Sequence, residues 1–349
     1  MEQVILGLET VKEYYGKTLK SNKDLLTNAC CTTDSMSKYL VDILKEVHEE
    51  VKDKFYGCGS PIPFDLEGKT ILDLGSGSGR DCFILSKLVG GAGKVIGIDM
   101  TEEQIEIANK HVNYHTEKFG YKKTNVQFLN GFMEDLKSLG IQDASVDIVV
   151  SNCVINLSPD KEKVFSEIFR VLKPGGELYF SDVFSSRRLP EILKNDPILL
   201  GECLGGALYT EDFRRLLYNV GCKDFRVMTN SKINLQNREL EEKVGLIEFN
   251  SITVRAFKLD LEDRCEDFGQ AVRYLGTIKN SENAFVLDDH HTFEKGKIVS
   301  VCGNTTMMLE ETRYNEHFEI LGDKSIHYGL FDCAPASPTV TSSNVSVCC

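Results

Sequence analysis

The chain has 349 residues, enough for one large domain with a smaller one beside it and an ample core. Apolar residues at 42% and charged residues at 27% describe an ordinary soluble globular protein, and a net charge of −13 argues against a nucleic-acid partner, whose phosphates such a surface repels. The opening stretch MEQVILGLETVKEYYG lacks the basic-then-apolar order of a signal peptide, and no apolar run approaches the roughly 18 residues that span a bilayer, so a cytosolic protein without a membrane partner is expected.

Residues 1–68 read as a helical N-terminal segment. Leu40, Ile43, Leu44, Val47 and Val51 recur at three- and four-residue spacing, one face of a helix running through SMSKYLVDILKEVHEEVKDKFYG. Two polar loops interrupt the segment. TNACCTT carries Cys30 and Cys31, and YGCGSPIP carries Cys58 between two glycines, where core filling explains it poorly. From Lys69 strands and helices alternate. KTILDLG, KVIGID, NVQFLNG, SVDIVVSN and GELYFSD are strands, separated by helices that include a long one at TEEQIEIANKHVNYHTEKF with Thr101 as its N-cap. LKPGG at 172–176 reads as a turn before the fifth strand. Continuous apolar strands between helices imply a parallel sheet covered on both faces, which DFRVMTN and SITVRAFKL would complete to seven strands.

The division that follows is a 69–183 cofactor domain, a 184–260 insertion with the last sheet strands, a 261–333 small α+β domain, and a 334–349 tail read as disordered. The insertion contains GECLGGALY. In the small domain AVRYLGTI, AFVLDDHHTF and KGKIVSVC look like short antiparallel strands ahead of a helical stretch, TTMMLEETRYNEHF.

ILDLGSGSG, residues 71–79, is the stretch that carries a ligand. Gly75, Gly77 and Gly79, with Ser76 between them, let a strand turn sharply into a helix and leave backbone open to a ligand. Asp73 lies two residues before the first glycine. Asp99 ends the next strand, where an acid meets ribose hydroxyls. Arg80 stands where a dinucleotide fingerprint wants its third glycine, which disfavours a nicotinamide oxidoreductase. The G-x-G-x-G spacing is similar to that of S-adenosylmethionine (SAM) methyltransferases, and it implies the class I, Rossmann-like α/β fold with SAM as cofactor. Met100 would then lie against the adenine, with Phe132, Met133 and Glu134 as its far wall. The fourth strand ends SNCVINL, giving Asn152 a place beside the cofactor and Cys153 one at the sheet edge. No Asp, Glu or His is there to serve as a base. The Cys153 thiol is open to four readings: nucleophile, redox group, metal ligand or packing.

Twelve cysteines without a secretory signal are expected to be thiols, with no C-x-x-C zinc spacing among them. TNACCTT, YGCG, DLGSGSGRDC, GIDMT, SNCVINL, FSDV and GECLGGALY together resemble the animal-type arsenite methyltransferases from about Val11 to about Asn237, with a weaker echo beyond. The resemblance implies SAM-dependent methylation of arsenite to mono- and dimethylated products by a monomeric or weakly associated enzyme. It implies arsenic roles for Cys30, Cys58, Cys153 and Cys203. Cys58, Cys153 and Cys203 would hold trivalent arsenic during methylation, and Cys30 would bind inorganic arsenite or relay a disulfide. Residues 1–68 would then be an arsenic-binding lid segment, with Tyr56 over the cofactor, and 184–260 the substrate insertion. Glutathione, thioredoxin or glutaredoxin would restore the thiols. The competing readings are methylation of an organic small molecule and a thiolate metalloid buffer on a SAM-type scaffold. Cys82 is read as packed toward the sheet, and Cys222, Cys265, Cys302 and Cys333 as packing or surface thiols. Cys348 and Cys349 are read as dispensable, and His290-His291 as a loop rather than a metal site.

Overall fold

A computed structural model of the chain describes residues 36–55, 60–201, 203–235 and 237–333. Cys30, Cys31, Tyr56, Cys58 and the tail from 334 lie outside those residues. Strands β1 (Thr70–Leu74), β2 (Lys94–Asp99), β3 (Val126–Asn130), β4 (Val146–Asn152), β5 (Leu172–Ser185), the two-residue β6 (Leu208–Tyr209), β7 (Phe225–Lys232) and β8 (Phe249–Phe257) form one sheet. Its order is β3-β2-β1-β4-β5-β8-β7, with β6 beside β5. The first five strands run parallel, and β8 is antiparallel to both of its neighbours. This is the expected seven-stranded sheet with one short addition.

Strand alternation explains why both faces need covering. Ile71, Ile148 and Val150 join one apolar cluster, which Phe83 and Ile84 of the helix Arg80–Val89 and Leu40, Val47 and Val51 of the N-terminal segment complete. Leu72, Leu74 and Val149 face the other way into a cluster built around Phe165, Phe180 and Phe213. Successive side chains of a strand point to opposite faces, so neither side of β1 or β4 tolerates water.

Three local expectations change. The helical run before the sheet is two short helices, Lys38–Leu44 and Glu49–Asp53, because His48 takes an extended conformation and its ring Nδ1 accepts from the Glu50 N–H at 3.2 Å, starting a new helix. The long helix after β2 likewise breaks at His111 into Glu102–Lys110 and Val112–Lys118. His111 stacks on His48 at 3.8 Å and its Nε2 meets Glu50 at 2.7 Å, so a tertiary tie takes precedence over helix continuity there. LKPGG is not a turn before β5 but its first residues, bulged where β4 pairing passes from Leu172 to Glu177.

Beyond residue 261 lie β10 (Ala271–Tyr274) between β13 (Ile298–Ser300) and β14 (Phe318–Leu321), the hairpin of β11 (Ala284–Val286) with β12 (Thr292–Glu294), and the pair β9 (Glu266–Asp267) with β15 (Gly329–Leu330). All are antiparallel. With the helix Gly303–Glu310 they enclose a core of their own, including Tyr274, Phe285, Phe293 and Tyr314. Among the described residues no helix is long and apolar enough to cross a membrane.

Candidate active site

The turn after β1 opens one wall of a cleft of about 1030 Å³, mouth included, at the carboxyl ends of the parallel strands. Gly77 has a φ of +51° and nothing within 4 Å of where a Cβ would stand, so its backbone faces open space. The Gly77 N–H donates to Asp99 Oδ2 at 2.9 Å and the Thr101 N–H to Asp99 Oδ1 at 2.8 Å. The carboxylate at the end of β2 is thereby fixed against the loop.

Asp73, Gly75, Ser76, Gly77, Asp99, Met100, Phe132, Met133, Glu134, Asn152 and Cys153 all line this cleft. Gly79 does not: it caps the start of the helix Arg80–Val89. Sequence reasoning missed Lys54, Phe55, Asp81, Gln104, Leu157 and Ser158, which line it too. Asp81 pairs with Arg80 at 2.7 Å and accepts from Asn152 Nδ2 at 3.1 Å, while the Arg80 guanidinium lies 3.0 Å from the centre of the Phe55 ring. Arg80 was visible only as the residue that spoils a dinucleotide motif. Its structural use is to join Phe55 and Asp81 at the cleft. Asp73 is fully buried, and burial, followed by the nearby Asp81 charge, raises its carboxyl well above the ordinary range, although it accepts from the Cys82 thiol at 3.2 Å. Cys82 thus faces the sheet. Ser158 hydroxyl donates to the Glu134 carboxylate.

Cys153 and Cys203 meet across the end of β4. The Cys203 thiol donates to the Cys153 carbonyl at 3.4 Å, and the two residues are 1% and 4% exposed respectively. Both take the left-handed backbone, with φ of 57° and 60°, a conformation that non-glycine residues hold only where their surroundings impose it. The Cys153 sulfur is disulfide-bonded, unlike the thiol expected for it.

Asn156 is the clamp between the two loops. Its backbone N–H and side-chain amide donate to Asp182 at 3.1 and 2.7 Å, its amide also donates to the Val183 carbonyl at 2.6 Å, and Lys161 Nζ donates to its carbonyl at 3.1 Å. Gly206 packs on that same carbonyl: a Cβ there would stand 1.9 Å from the oxygen. GECLGG therefore needs a glycine at 206 for its loop to sit on SNCVIN. Burial raises Asp182 to about 7 and lowers Lys161 to about 8.

The strand order, the single antiparallel strand near the edge and the glycine loop beside an acid-ended β2 define a class I SAM-dependent methyltransferase. Comparison with known proteins narrows the class. A family model described as a methyltransferase domain matches residues 65–221, and one described as the arsenite methyltransferase C-terminal domain matches residues 269–343. The arsenite methyltransferase of Aquipseudomonas alcaligenes is 53% identical over 325 residues, 93% of each chain. The human arsenite methyltransferase is 47% identical over 320 residues, covering 90% of this chain and 84% of that one. The crystal structure of an arsenic(III) S-adenosylmethionine methyltransferase from Chlamydomonas reinhardtii matches with a TM-score of 0.83 and 49% identity over 85% of this chain and 100% of that one. The chain belongs to the arsenite methyltransferase family, and its cofactor is S-adenosylmethionine.

Proposed function

We propose that this chain moves the methyl group of SAM onto trivalent arsenic held by cysteine thiolates, taking arsenite to its mono- and dimethylated forms. The observation that carries the reading is the meeting of Cys153 and Cys203, two buried sulfur residues in left-handed backbone, one of which lines the cleft. Trivalent arsenic is soft, and thiolates are its natural ligands.

The cleft lining fits the cofactor. Asp73, Asp81 and Asp99 suit a ligand carrying sulfonium and ammonium charges, while Met100, Phe132 and Met133 offer an apolar slot for adenine with Glu134 at its edge. Bound SAM supplies an electrophilic methyl carbon on sulfur. In this reading Asp99 would accept from the ribose hydroxyls, and the glycine loop would face the chain between sugar and carboxylate. Cys153 and Cys203 hold arsenic from the β4 side. The third ligand is assigned to Cys58, which follows the lining residue Phe55 by three positions, a tether no longer than about 11 Å. Cys30 receives inorganic arsenite or relays the disulfide.

Three thiolates leave the arsenic lone pair as the nucleophile, so no protein base is needed and the residues act by alignment. With SAM bound, that lone pair would take the methyl carbon while the S–CH₃ electron pair stayed with sulfur, which would leave S-adenosylhomocysteine and pentavalent arsenic. Two cysteine thiolates return two electrons and become a disulfide, which glutathione, thioredoxin or glutaredoxin reduces. The disulfide on Cys153 fits the oxidised stage of that cycle.

Reduced protein incubated with SAM, glutathione and arsenite, with products resolved by arsenic speciation, tests the proposal. Methylated and dimethylated arsenic with matching S-adenosylhomocysteine are expected. SAM turnover without arsenic would point to an organic substrate, and arsenite binding without S-adenosylhomocysteine to a thiolate buffer.

A further inference from the structure

The small domain assembles three of the cysteines that sequence reading set aside. Cys265 precedes β9, Cys302 precedes the helix Gly303–Glu310 and Cys333 follows β15. Antiparallel pairing of β9 with β15 continues outward, with the Phe331 N–H donating to the Cys265 carbonyl at 2.7 Å and the Cys333 N–H to the Phe331 carbonyl at 3.0 Å. Cys333 is thus drawn back beside Cys265. The helix start adds Cys302, and the three sulfurs lie within 4.8 Å of one another. Cys302 is fully buried, Cys265 half-buried and Cys333 exposed, so the trio has a closed floor and an open mouth.

The floor carries a buried cation. Arg226 lies between Asp224 at 2.8 Å and Asp288 at 3.2 Å, donates to Thr305 Oγ1 at 3.2 Å, and that hydroxyl contacts the Cys302 sulfur at 3.3 Å. Arg226 Nε has no hydrogen-bond partner among the described residues.

We propose that Cys265, Cys302 and Cys333 form a second, three-thiolate site for trivalent arsenic, separate from the methyl-transfer cleft. The number of ligands selects the guest. The cluster offers three sulfurs with no fourth His, Asp or Glu ligand among the described residues, whereas structural zinc takes four. Pyramidal arsenic takes three and keeps a lone pair in the fourth position. Charge favours it as well. Arsenous acid and three thiols give a neutral tris-thiolate and three waters: three As–O and three S–H bonds break, three As–S bonds form, and no electrons move. Zinc would add net negative charge beside Asp224 and Asp288, which already outnumber Arg226. The family assignment supplies only the identity of the guest. The site itself stands whether or not Cys153 and Cys203 act in catalysis.

The test uses the full-length chain with Cys30, Cys58, Cys153 and Cys203 all changed to Ser, reduced, desalted and exposed to sodium arsenite or zinc sulfate. Metal retained after a second desalting is counted by mass spectrometry, and folding is checked by circular dichroism. One arsenic per chain with a three-sulfur shell by X-ray absorption is expected. Cys333→Ser, which removes an exposed ligand without opening a cavity, should weaken retention about 100-fold by ending the tethered three-point hold. If the quadruple variant does not fold, wild type and Cys333→Ser are compared instead, and one arsenic fewer on the variant is expected. No retained arsenic, retention unmoved by Cys333→Ser, or zinc that arsenite does not displace would each overturn the site. Wild-type methylation measured in parallel keeps these failures distinct from failure of the proposed activity.

Discussion

Cys153 and Cys203 hold φ angles that cost a non-glycine residue about 1–3 kcal/mol each, and both sit where the two sulfur-bearing loops touch. Contacts that impose such angles have to be rigid, and one close approach between the loops is the seat of Gly206 on the Asn156 carbonyl. Gly206→Ala would place a methyl 1.9 Å from a backbone oxygen held by Lys161, in a residue pinned by Asp182. The loop must then move, and Cys203 with it. Expected results are arsenite methylation reduced by more than tenfold and stability lowered by about 1–3 kcal/mol, with SAM affinity unchanged. Isothermal calorimetry with SAM beside the methylation assay reads both, and full activity would separate the glycine from the site. Residues of this kind show how far a sequence speaks for itself. Gly75, Gly77 and Asp99 were legible because a strand, a turn and an acid recur at fixed spacing. Phe55, Asp81 and Gln104 were not, because they reach the cleft through packing across elements. Cys265, Cys302 and Cys333 lie dozens of positions apart, so only strand pairing reveals that they are neighbours.

At the scale of elements, three histidines tie the N-terminal segment to the sheet domain. His115 stacks on Phe83 at 3.6 Å, its Nδ1–H donates to the His111 carbonyl at 2.8 Å, and its Nε2 accepts from the His48 N–H at 3.2 Å. Burial lowers His115 from 6.5 to about 4, although the His111 carbonyl favours its charged form. Below pH 6.5 the unfolded chain binds a proton that the folded chain refuses, so the stability His115 contributes is full above that pH and is lost as pH falls toward about 4. Thermal midpoints measured from pH 7 to pH 4 should decline through this window, and His115→Gln should flatten the decline. An unchanged slope in the variant would locate the acid sensitivity elsewhere. The same ties explain why two long helical patterns each proved to be a broken pair. Apolar periodicity reports which face is buried, but not where a cap or a ring stack interrupts the helix.

Across the whole molecule, a buried carboxylate joins the methyltransferase sheet to the small domain. Glu177 of β5 pairs with Arg255 of β8 and with Arg313, all three nearly or wholly buried. Arg255 also donates to the Leu287 carbonyl at 2.8 Å, and Arg313 to the Phe64 carbonyl at 3.0 Å. Glu177→Ala would leave two buried guanidinium groups without their anion, so unfolding in urea should show a loss of about 3–5 kcal/mol. A smaller loss would mean that other ties between the domains, such as the buried Arg226–Asp288 pair, carry the join. Single-turnover transfer tests the arsenic-thiolate mechanism most directly: reduced protein loaded with one equivalent of arsenite is mixed with methyl-labelled SAM, and label on arsenic is followed in time. Wild type is expected to label arsenic, while Cys153→Ser and Cys203→Ser bind SAM equally well and label none. Labelling at the wild-type rate in both variants would contradict the thiolate site.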